Sequence, residues 1–153
     1  MLAVLVGASW WQARDLLPAG EPAPEQLLPT VDGELVRLGE PRGRPAVIYF
    51  FAPWCSVCDS ASANVAALRA GRSASELDVY AVGLDYEREE EIARFADEHD
   101  LDVPVLLGNG RTRREYRVGS YPTIYLLDGE GRIVHRLVGY TTEIGLWLRL
   151  WLT

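Results

Sequence analysis

The sequence is poor in residues that bind metals, and this scarcity limits the chemistry that it can support. It contains two cysteines and two histidines: Cys55, Cys58, His99 and His135. A structural zinc site usually takes four Cys or His ligands. His99 instead fits the last turn of a predicted acidic helix, where a histidine interacts favourably with the helix dipole, and His135 fits the solvent side of a predicted strand. Zinc is therefore a weak alternative for this chain.

Lysine is absent, and the basic residues are not clustered. All fifteen of them are arginines scattered along the chain, and the net charge is -7 at pH 7. Nucleic acid is not a predicted partner, because a nucleic-acid-binding protein usually has a basic face or stripe. The lack of lysine is typical of a coding bias, since single scattered arginines specify no ligand. The 153 residues, 48% of them hydrophobic and 24% charged, suit one globular domain with a full core.

The chain also lacks an apolar segment long enough to cross a membrane. Residues 1–11 are almost wholly apolar, but a transmembrane helix needs about 20 residues, and the basic start of a secretory signal is missing. The two tryptophans that end this segment are typical of a membrane interface. We predict that residues 1–17 are the outer half of a membrane anchor whose true start lies upstream, followed by a Pro-rich linker (18–30) and the domain (31–153). The alternative is a short apolar arm that packs on the domain.

What the chain does contain is one Cys-x-x-Cys motif, Cys55-Ser56-Val57-Cys58, shortly after the apolar run 46–51. Such a pair between a strand and a helix is a redox signature. The spacing lets the two thiols close a small disulfide ring, and the N–H groups at the helix start can stabilise the first thiolate. No cysteine remains for a long-range structural disulfide. The pair is thus redox-active or half of a metal site.

Hydrophobic periodicity divides the chain into strands and helices. The predicted strands are residues 34–38, 46–51, 77–84, 104–107, 123–127 and 132–138. The predicted helices run from the cysteine pair to about residue 71 and over residues 87–98, 111–117 and 144–152. Strands alternate with helices first, and a hairpin and a helix follow. This order predicts an α/β fold, a central mixed β-sheet flanked by helices, with an N-terminal strand extension.

Two motifs resemble those of the thioredoxin fold in their order and spacing. They are Phe51-Ala52-Pro53-Trp54-Cys55-Ser56-Val57-Cys58 and Tyr121-Pro122-Thr123, the latter followed by Asp128-Gly129. Within that superfamily, residues 21–153 resemble the membrane-tethered thioredoxins of the bacterial periplasm, the TlpA and ResA type. The tail, residues 139–142 and 146–152, is similar to the suppressor of copper sensitivity protein D branch.

This resemblance implies a role for each candidate site residue. Cys55 would be the attacking nucleophile and Cys58 the resolving thiol, which agrees with the chemistry of a thiolate at an exposed helix start. Pro122 would follow a cis peptide bond beside the active site, and the main chain of Tyr121 would pair with a substrate strand. Trp54 would pack beside the thiols, and the alternative is an ordinary half-buried aromatic residue.

Departures from the family pattern concern the direction of electron flow. Tyr49 stands where cytoplasmic thioredoxins have a buried aspartate, and Ala61 stands where ResA-like proteins have a glutamate. Asp59 follows the second cysteine, and we expect a solvated acid; if its carboxylate were directed at the thiols instead, it would raise their pKa values and oppose the helix dipole. Neither Ser56 nor Val57 is positively charged, which does not favour a strong oxidant. The pattern favours a reductase or isomerase.

The leading hypothesis is a protein thiol:disulfide oxidoreductase on the periplasmic side of the bacterial inner membrane, anchored at its N-terminus. The resemblance implies that it carries no cofactor, acts on the cysteines of other proteins and is reset by a membrane redox partner. One alternative is a Cu(I)-binding module, because soft thiolates favour that ion. Another, a peroxidase of the peroxiredoxin type, needs a threonine where Ala52 stands.

The closing helix is unusually apolar. One face is predicted from four residues: Ile144, Trp147, Leu148 and Trp151. Leu146 and Leu150 lie off this face, so some apolar surface is expected to remain exposed. Burial of the helix against the sheet is the simpler interpretation, and contact with a membrane surface or a partner is the alternative.

Overall fold

The computed structural model describes Trp11 and residues 13–153. The strands are β1 (Gln26–Pro29), β2 (Leu35–Leu38), β3 (Ala46–Phe51), β4 (Asp78–Gly83), β5 (Val105–Leu107), β6 (Thr123–Leu127) and β7 (Ile133–Val138). The helices are α1 (Ser56–Ala70), α2 (Glu89–Glu98), α3 (Gly110–Glu115) and α4 (Glu143–Trp151). Every strand and helix predicted from periodicity begins and ends within two residues of these bounds. β1 is a strand that the prediction lacked.

A five-stranded mixed sheet forms the centre of the fold, in the order β5-β4-β3-β6-β7. β3, β4 and β5 are parallel, whereas β6 and β7 are each antiparallel to their neighbours. All six residues of β3 are buried, as expected for a continuous apolar run that is covered on both faces. Because β3 and β4 are parallel, their carboxyl ends lie side by side, and Phe51 pairs with Gly83. The residues that follow these two strands therefore meet at one edge of the sheet.

Two hydrophobic cores cover the two faces of the sheet. On one face, α1, α2 and α4 contribute residues such as Val65, Phe95 and Leu146. The other face is covered by β1 and β2, which form a separate two-stranded antiparallel sheet, and by Tyr116 after α3. The predicted α/β architecture, a central mixed sheet flanked by helices with an N-terminal strand extension, is confirmed.

Residues 16–30 pack against the second face. The Leu17 N–H donates to the Tyr125 hydroxyl (3.2 Å), and its carbonyl accepts from Arg136 Nη1 (2.9 Å). The range 18–30, predicted as a linker, contains β1 and packs on the domain in this structure. Most of the predicted anchor lies outside the described residues, and the domain boundaries stay predictions. Within the described part of the chain, no helix has the length and apolar character needed to cross a membrane.

The orientation of α4 corrects the predicted face. Leu146 and Leu150, which lie off that face, are the two residues that α4 buries. The four predicted residues point outward and are 46% to 71% exposed: Ile144, Trp147, Leu148 and Trp151. The helix is apolar on most of its circumference, so its periodicity did not identify the buried side. The start of the helix is joined to α1, because Asn64 Nδ2 donates to the Thr141 carbonyl (2.9 Å) just before α4.

Candidate active site

The two cysteines lie where β3 ends and α1 begins. Pro53 stands in the short loop after the strand, and Cys55 is the N-cap residue of α1. The Cys58 N–H points back at this cap and lies 3.2 Å from Cys55 Sγ, which accepts its hydrogen bond. An N–H group at a helix start that is aimed at a sulfur stabilises negative charge on it. Both cysteines are free thiols in this structure.

The two thiols differ in their access to solvent. Cys55 is 8% exposed and Cys58 is completely buried. Burial in an apolar environment disfavours a thiolate, and it is the main reason why the pKa of Cys58 is raised. The hydrogen bond with Cys55 raises this pKa further. Within the pair, Cys55 is therefore the sulfur that another molecule can reach, and Cys58 is the one kept protonated.

Tyr49 lies beneath the cysteine pair in the middle of β3. Its ring is fully buried, and its hydroxyl donates to the Cys58 carbonyl (2.9 Å) and lies 3.0 Å from Ser62 Oγ. Burial raises the pKa of Tyr49 far above its usual value, so this hydroxyl stays protonated. Ala61, the other departure noted in the sequence, is buried beside it on α1.

Trp54 is directed outward beside Cys55 and is 67% exposed, so it is not the half-buried aromatic of the alternative prediction. Its indole Nε1 donates to the Asp85 carbonyl (2.9 Å), and its ring meets that of Tyr121 edge to face at 5.7 Å. The Tyr121 hydroxyl in turn donates to Asp85 Oδ2 (2.7 Å). Burial, followed by this hydrogen bond, raises the pKa of Tyr121. The two aromatic residues are thus held together through Asp85.

The loop before β6 has the geometry that the resemblance implied. The peptide bond between Tyr121 and Pro122 is cis. Pro122 is buried, and its carbonyl accepts from the Gly139 N–H at 2.9 Å. Through this loop, Tyr121 reaches the same side of the molecule as Trp54 and the cysteine pair. The structure therefore brings together the two separate segments that carry the five candidate site residues.

Asp59 is directed away from the thiols, toward α2. Its Oδ1 lies 3.2 Å from His99 Nε2. His99 Nδ1 lies 2.8 Å from the Phe95 carbonyl, which only accepts, so Nδ1 carries a proton. Nε2 therefore donates to Asp59 only in the imidazolium form. Each of the two side chains, Asp59 and His99, thus has the other as its partner. Within residues 11 and 13–153, no group of three Cys, His, Asp or Glu side chains could hold a metal ion.

Sequence reasoning missed two residues of the site, Asp85 and Ser62. Asp85 follows β4 directly, and the signal was available: two adjacent parallel strands place the residues after them at one edge, next to Trp54. Ser62 lies four positions after Cys58, so a helix places both on one face. Neither signal identifies a partner, because both partners come from other elements.

Comparisons with known proteins agree with this geometry. Residues 19–136 match the AhpC/TSA family. The thioredoxin-like protein YneN of Bacillus subtilis is 31% identical over 152 residues, which cover 94% of this chain and 89% of that protein. The thiol-disulfide oxidoreductase ResA of Bacillus cereus is 24% identical over 94% of this chain and 87% of its own length.

Solved structures show the same similarity. A Chlorobium tepidum protein named for the thiol:disulfide interchange protein DsbE superposes with a TM-score of 0.80 at 27% identity, covering 89% of this chain and 97% of that one. StoA of Bacillus subtilis superposes with a TM-score of 0.72 at 23% identity, covering 89% of this chain and 100% of that one.

Proposed function

The chain belongs to the AhpC/TSA family and is a thioredoxin-like thiol:disulfide oxidoreductase, and on this premise we propose that Cys55 and Cys58 are its redox couple. The observation that carries the proposal is the inequality of the two sulfurs. Cys55 is the more exposed of the two, at 8%, and its Sγ accepts an N–H at the start of α1, whereas Cys58 is completely buried one turn behind it. An attacking thiol needs access and a stabilised thiolate, and a resolving thiol needs only proximity.

The reaction runs through a mixed disulfide. The Cys55 thiolate attacks a disulfide of the substrate protein, forms a bond to one of its sulfurs and releases the other as a thiolate. Cys58 then loses its proton to solvent and attacks Cys55 Sγ. The Cys55–Cys58 disulfide forms, and the bond to the substrate breaks. The second substrate sulfur leaves with the electron pair of that bond and takes up a proton. An external dithiol later reduces the Cys55–Cys58 disulfide.

Reduction or isomerisation of substrates fits this site better than strong oxidation. A strong thiol oxidant owes its potential to a reduced form that is stabilised as a low-pKa thiolate. Here burial raises the pKa of Cys58, and neither residue between the cysteines is charged. The site therefore offers little stabilisation of the reduced form beyond the N–H groups at the start of α1.

A substrate polypeptide would lie against Trp54 and Tyr121, beside the buried Pro122. Trp54 is exposed next to Cys55, and Asp85 ties it to Tyr121 in the loop that contains Pro122. An exposed indole supplies a large apolar contact at low entropic cost, which suits a protein substrate. The main chain at Tyr121 would pair with an extended segment of that substrate.

The proposed place of action is the periplasmic side of the inner membrane, with a membrane redox partner as the electron donor. The apolar segment 1–11, with tryptophans at its end, supports an N-terminal tether. The assignment to the suppressor of copper sensitivity protein D branch remains a prediction from the tail of the chain.

Trapping of the mixed disulfide tests the redox couple. In the Cys58→Ala variant, incubation with an oxidised protein substrate should accumulate a covalent adduct that reducing agent dissolves, because the resolving thiol is missing. The matched Cys55→Ala variant should form little adduct, since its remaining thiol is buried. Equal trapping by both variants would contradict the assigned roles.

Redox titration of the unchanged protein tests the direction of electron flow. We expect a two-electron couple nearer to about -270 mV, as in thioredoxin, than to about -120 mV, as in the periplasmic oxidant DsbA. A value close to the latter would contradict the reductase proposal. Tight Cu(I) binding without any disulfide exchange would favour the copper-binding alternative.

A further inference from the structure

The Tyr49 hydroxyl connects the central strand to the first turns of α1. It is buried on the face of the sheet that α1 covers, and its two neighbours are the Cys58 carbonyl (2.9 Å) and Ser62 Oγ (3.0 Å). Ser62 is itself completely buried. These groups form a closed polar cluster directly behind the Cys58 thiol.

The direction of each hydrogen bond follows from the chemistry of its groups. A carbonyl oxygen only accepts, so the single proton of the Tyr49 hydroxyl is directed at the Cys58 carbonyl. The Ser62 hydroxyl must then donate to the Tyr49 oxygen. Ser62 therefore orients Tyr49, and Tyr49 orients the backbone of Cys58.

Cys58 has few groups that could assist its ionisation. Its pKa is raised by burial first and then by Cys55, whereas a backbone hydrogen bond from Ala52 and, after it, the Tyr49 hydroxyl lower the pKa. Tyr121, from the loop before β6, is the other titratable group that interacts electrostatically with Cys58. Over the described residues, no carboxylate contributes to the shift, and Asp59 on the same helix turns to His99.

We propose that Tyr49 is a positioning residue for the resolving step: its hydroxyl, held by Ser62, holds the Cys58 carbonyl and with it the turn of α1 that places the Cys58 thiol behind Cys55. This inference rests on the proposed function. Tyr49 acts as a donor and not as a base, because burial keeps its hydroxyl protonated. The Cys58 proton passes to solvent, the Cys58–Cys55 bond forms, and the substrate thiolate leaves and is protonated by solvent.

The test separates the attacking step from the resolving step by rapid mixing of the reduced protein with a chromogenic aromatic disulfide. Attack by Cys55 releases the first coloured thiol, in a phase that depends on reagent concentration. Resolution by Cys58 releases the second, in a phase that does not. The Tyr49→Phe variant keeps the ring and its stacking on Phe51 (centroids 5.6 Å apart) but removes the hydroxyl.

In Tyr49→Phe we expect the second phase to slow about tenfold, because the turn of α1 that carries the Cys58 thiol loses the hydrogen bond that holds its carbonyl. The first phase should change less than about twofold. Ser62→Ala should slow the second phase in the same direction, by less. The control is Tyr116→Phe, which removes another buried hydroxyl that donates to a backbone carbonyl, that of Pro24, on the opposite face of the sheet.

A second phase in Tyr49→Phe that is as fast as that in Tyr116→Phe would overturn the role of Tyr49 and leave the proposed function intact, since two thiols would still be released in sequence. A single release by the unchanged protein would overturn the proposed function and this inference with it. If Tyr49→Phe does not fold, Ser62→Ala decides, and an unchanged second phase in that variant overturns the proposal.

Discussion

At the residue scale, Asp85 shows how one side chain can hold a site together without reacting. Its carbonyl accepts from Trp54, its carboxylate accepts from Tyr121, and Arg113 Nη1 lies 3.6 Å from the other carboxylate oxygen. Its φ is +49°, in the left-handed region that Asp, Asn and Gly adopt most readily. The residue at position 85 must therefore adopt a left-handed backbone conformation and also provide an acceptor for the Tyr121 hydroxyl.

Three substitutions separate these two requirements. Asp85→Asn keeps the conformation and an acceptor oxygen for Tyr121, so its free energy of unfolding should stay within about 0.5 kcal/mol of the unchanged protein. Asp85→Ala loses the acceptor oxygen and the preference for the left-handed conformation, and it should lower that free energy by about 1–2 kcal/mol. Asp85→Gly keeps only the conformation and should fall between them. Urea unfolding measures all three.

The exchange rate of the same variants tests the link to the site. We expect slower attack on a protein disulfide in Asp85→Gly and Asp85→Ala than in Asp85→Asn, because only the last keeps the Tyr121 hydroxyl anchored. Identical rates and stabilities in the alanine and asparagine variants would show that the Asp85 contacts do not hold the site.

At the element scale, α4 shows that an apolar helix does not reveal its buried side. Leu146 and Leu150 are one turn apart and enter the core below α1. The outward side carries two tryptophans, and Arg72 of the segment after α1 lies over the Trp147 ring at 5.8 Å. The burial of Leu146 and Leu150 in the core thus distinguishes the two apolar faces of α4.

A matched pair of leucines tests this orientation. Leu146→Ala should lower the free energy of unfolding by about 2–5 kcal/mol, because it leaves a cavity in a closely packed core. Leu148→Ala should change it by less than about 0.5 kcal/mol, since half of that side chain is already exposed. Chemical denaturation gives both values. Similar losses for the two variants would contradict the assigned face.

At the scale of the whole molecule, the protein buries several ionisable hydroxyl and thiol groups on both faces of its sheet. Tyr49 and Cys58 lie on one face, and Tyr116 and Tyr125 lie on the other. Burial raises the pKa of each, that of Tyr125 to about 12. The folded state therefore holds these protons to higher pH than the unfolded chain does.

This difference predicts a loss of stability in alkali. The pKa values of these groups are higher in the folded state than in the unfolded chain. Their contribution to stability is therefore fully present below the unfolded pKa values, about 8.5 for Cys and about 10 for Tyr, and is lost as the pH rises above them. The limiting loss is about 1.4 kcal/mol per pH unit for each group. Urea unfolding between about pH 7 and pH 11 measures it.

The Tyr116→Phe variant provides the control for the alkaline effect. It removes one ionisable group, so its loss of stability between about pH 10 and pH 11 should be shallower than that of the unchanged protein. A flat free energy of unfolding across this range would contradict the burial argument. An equal slope in the variant would assign the loss to other groups.

The sequence by itself determined the architecture, the redox chemistry and every element described here except β1. Apolar runs and helical spacing are properties of neighbouring residues, so they predicted the bounds of the other strands and of the helices to within two residues. The pair Cys55 and Cys58 between a strand and a helix predicted redox chemistry, whereas the cis bond before Pro122 was expected only from the resemblance to the thioredoxin fold.

Only the tertiary structure decided which partners these residues have. The hydrogen bonds of Tyr49 to Cys58, of Trp54 to Asp85 and of Leu17 to Tyr125 join separate elements. The buried side of α4 was decided in the same way. Local periodicity shows which face of an element is apolar, and the residue type shows whether a side chain can donate a hydrogen bond. Which residue it contacts depends on where the fold places the other element.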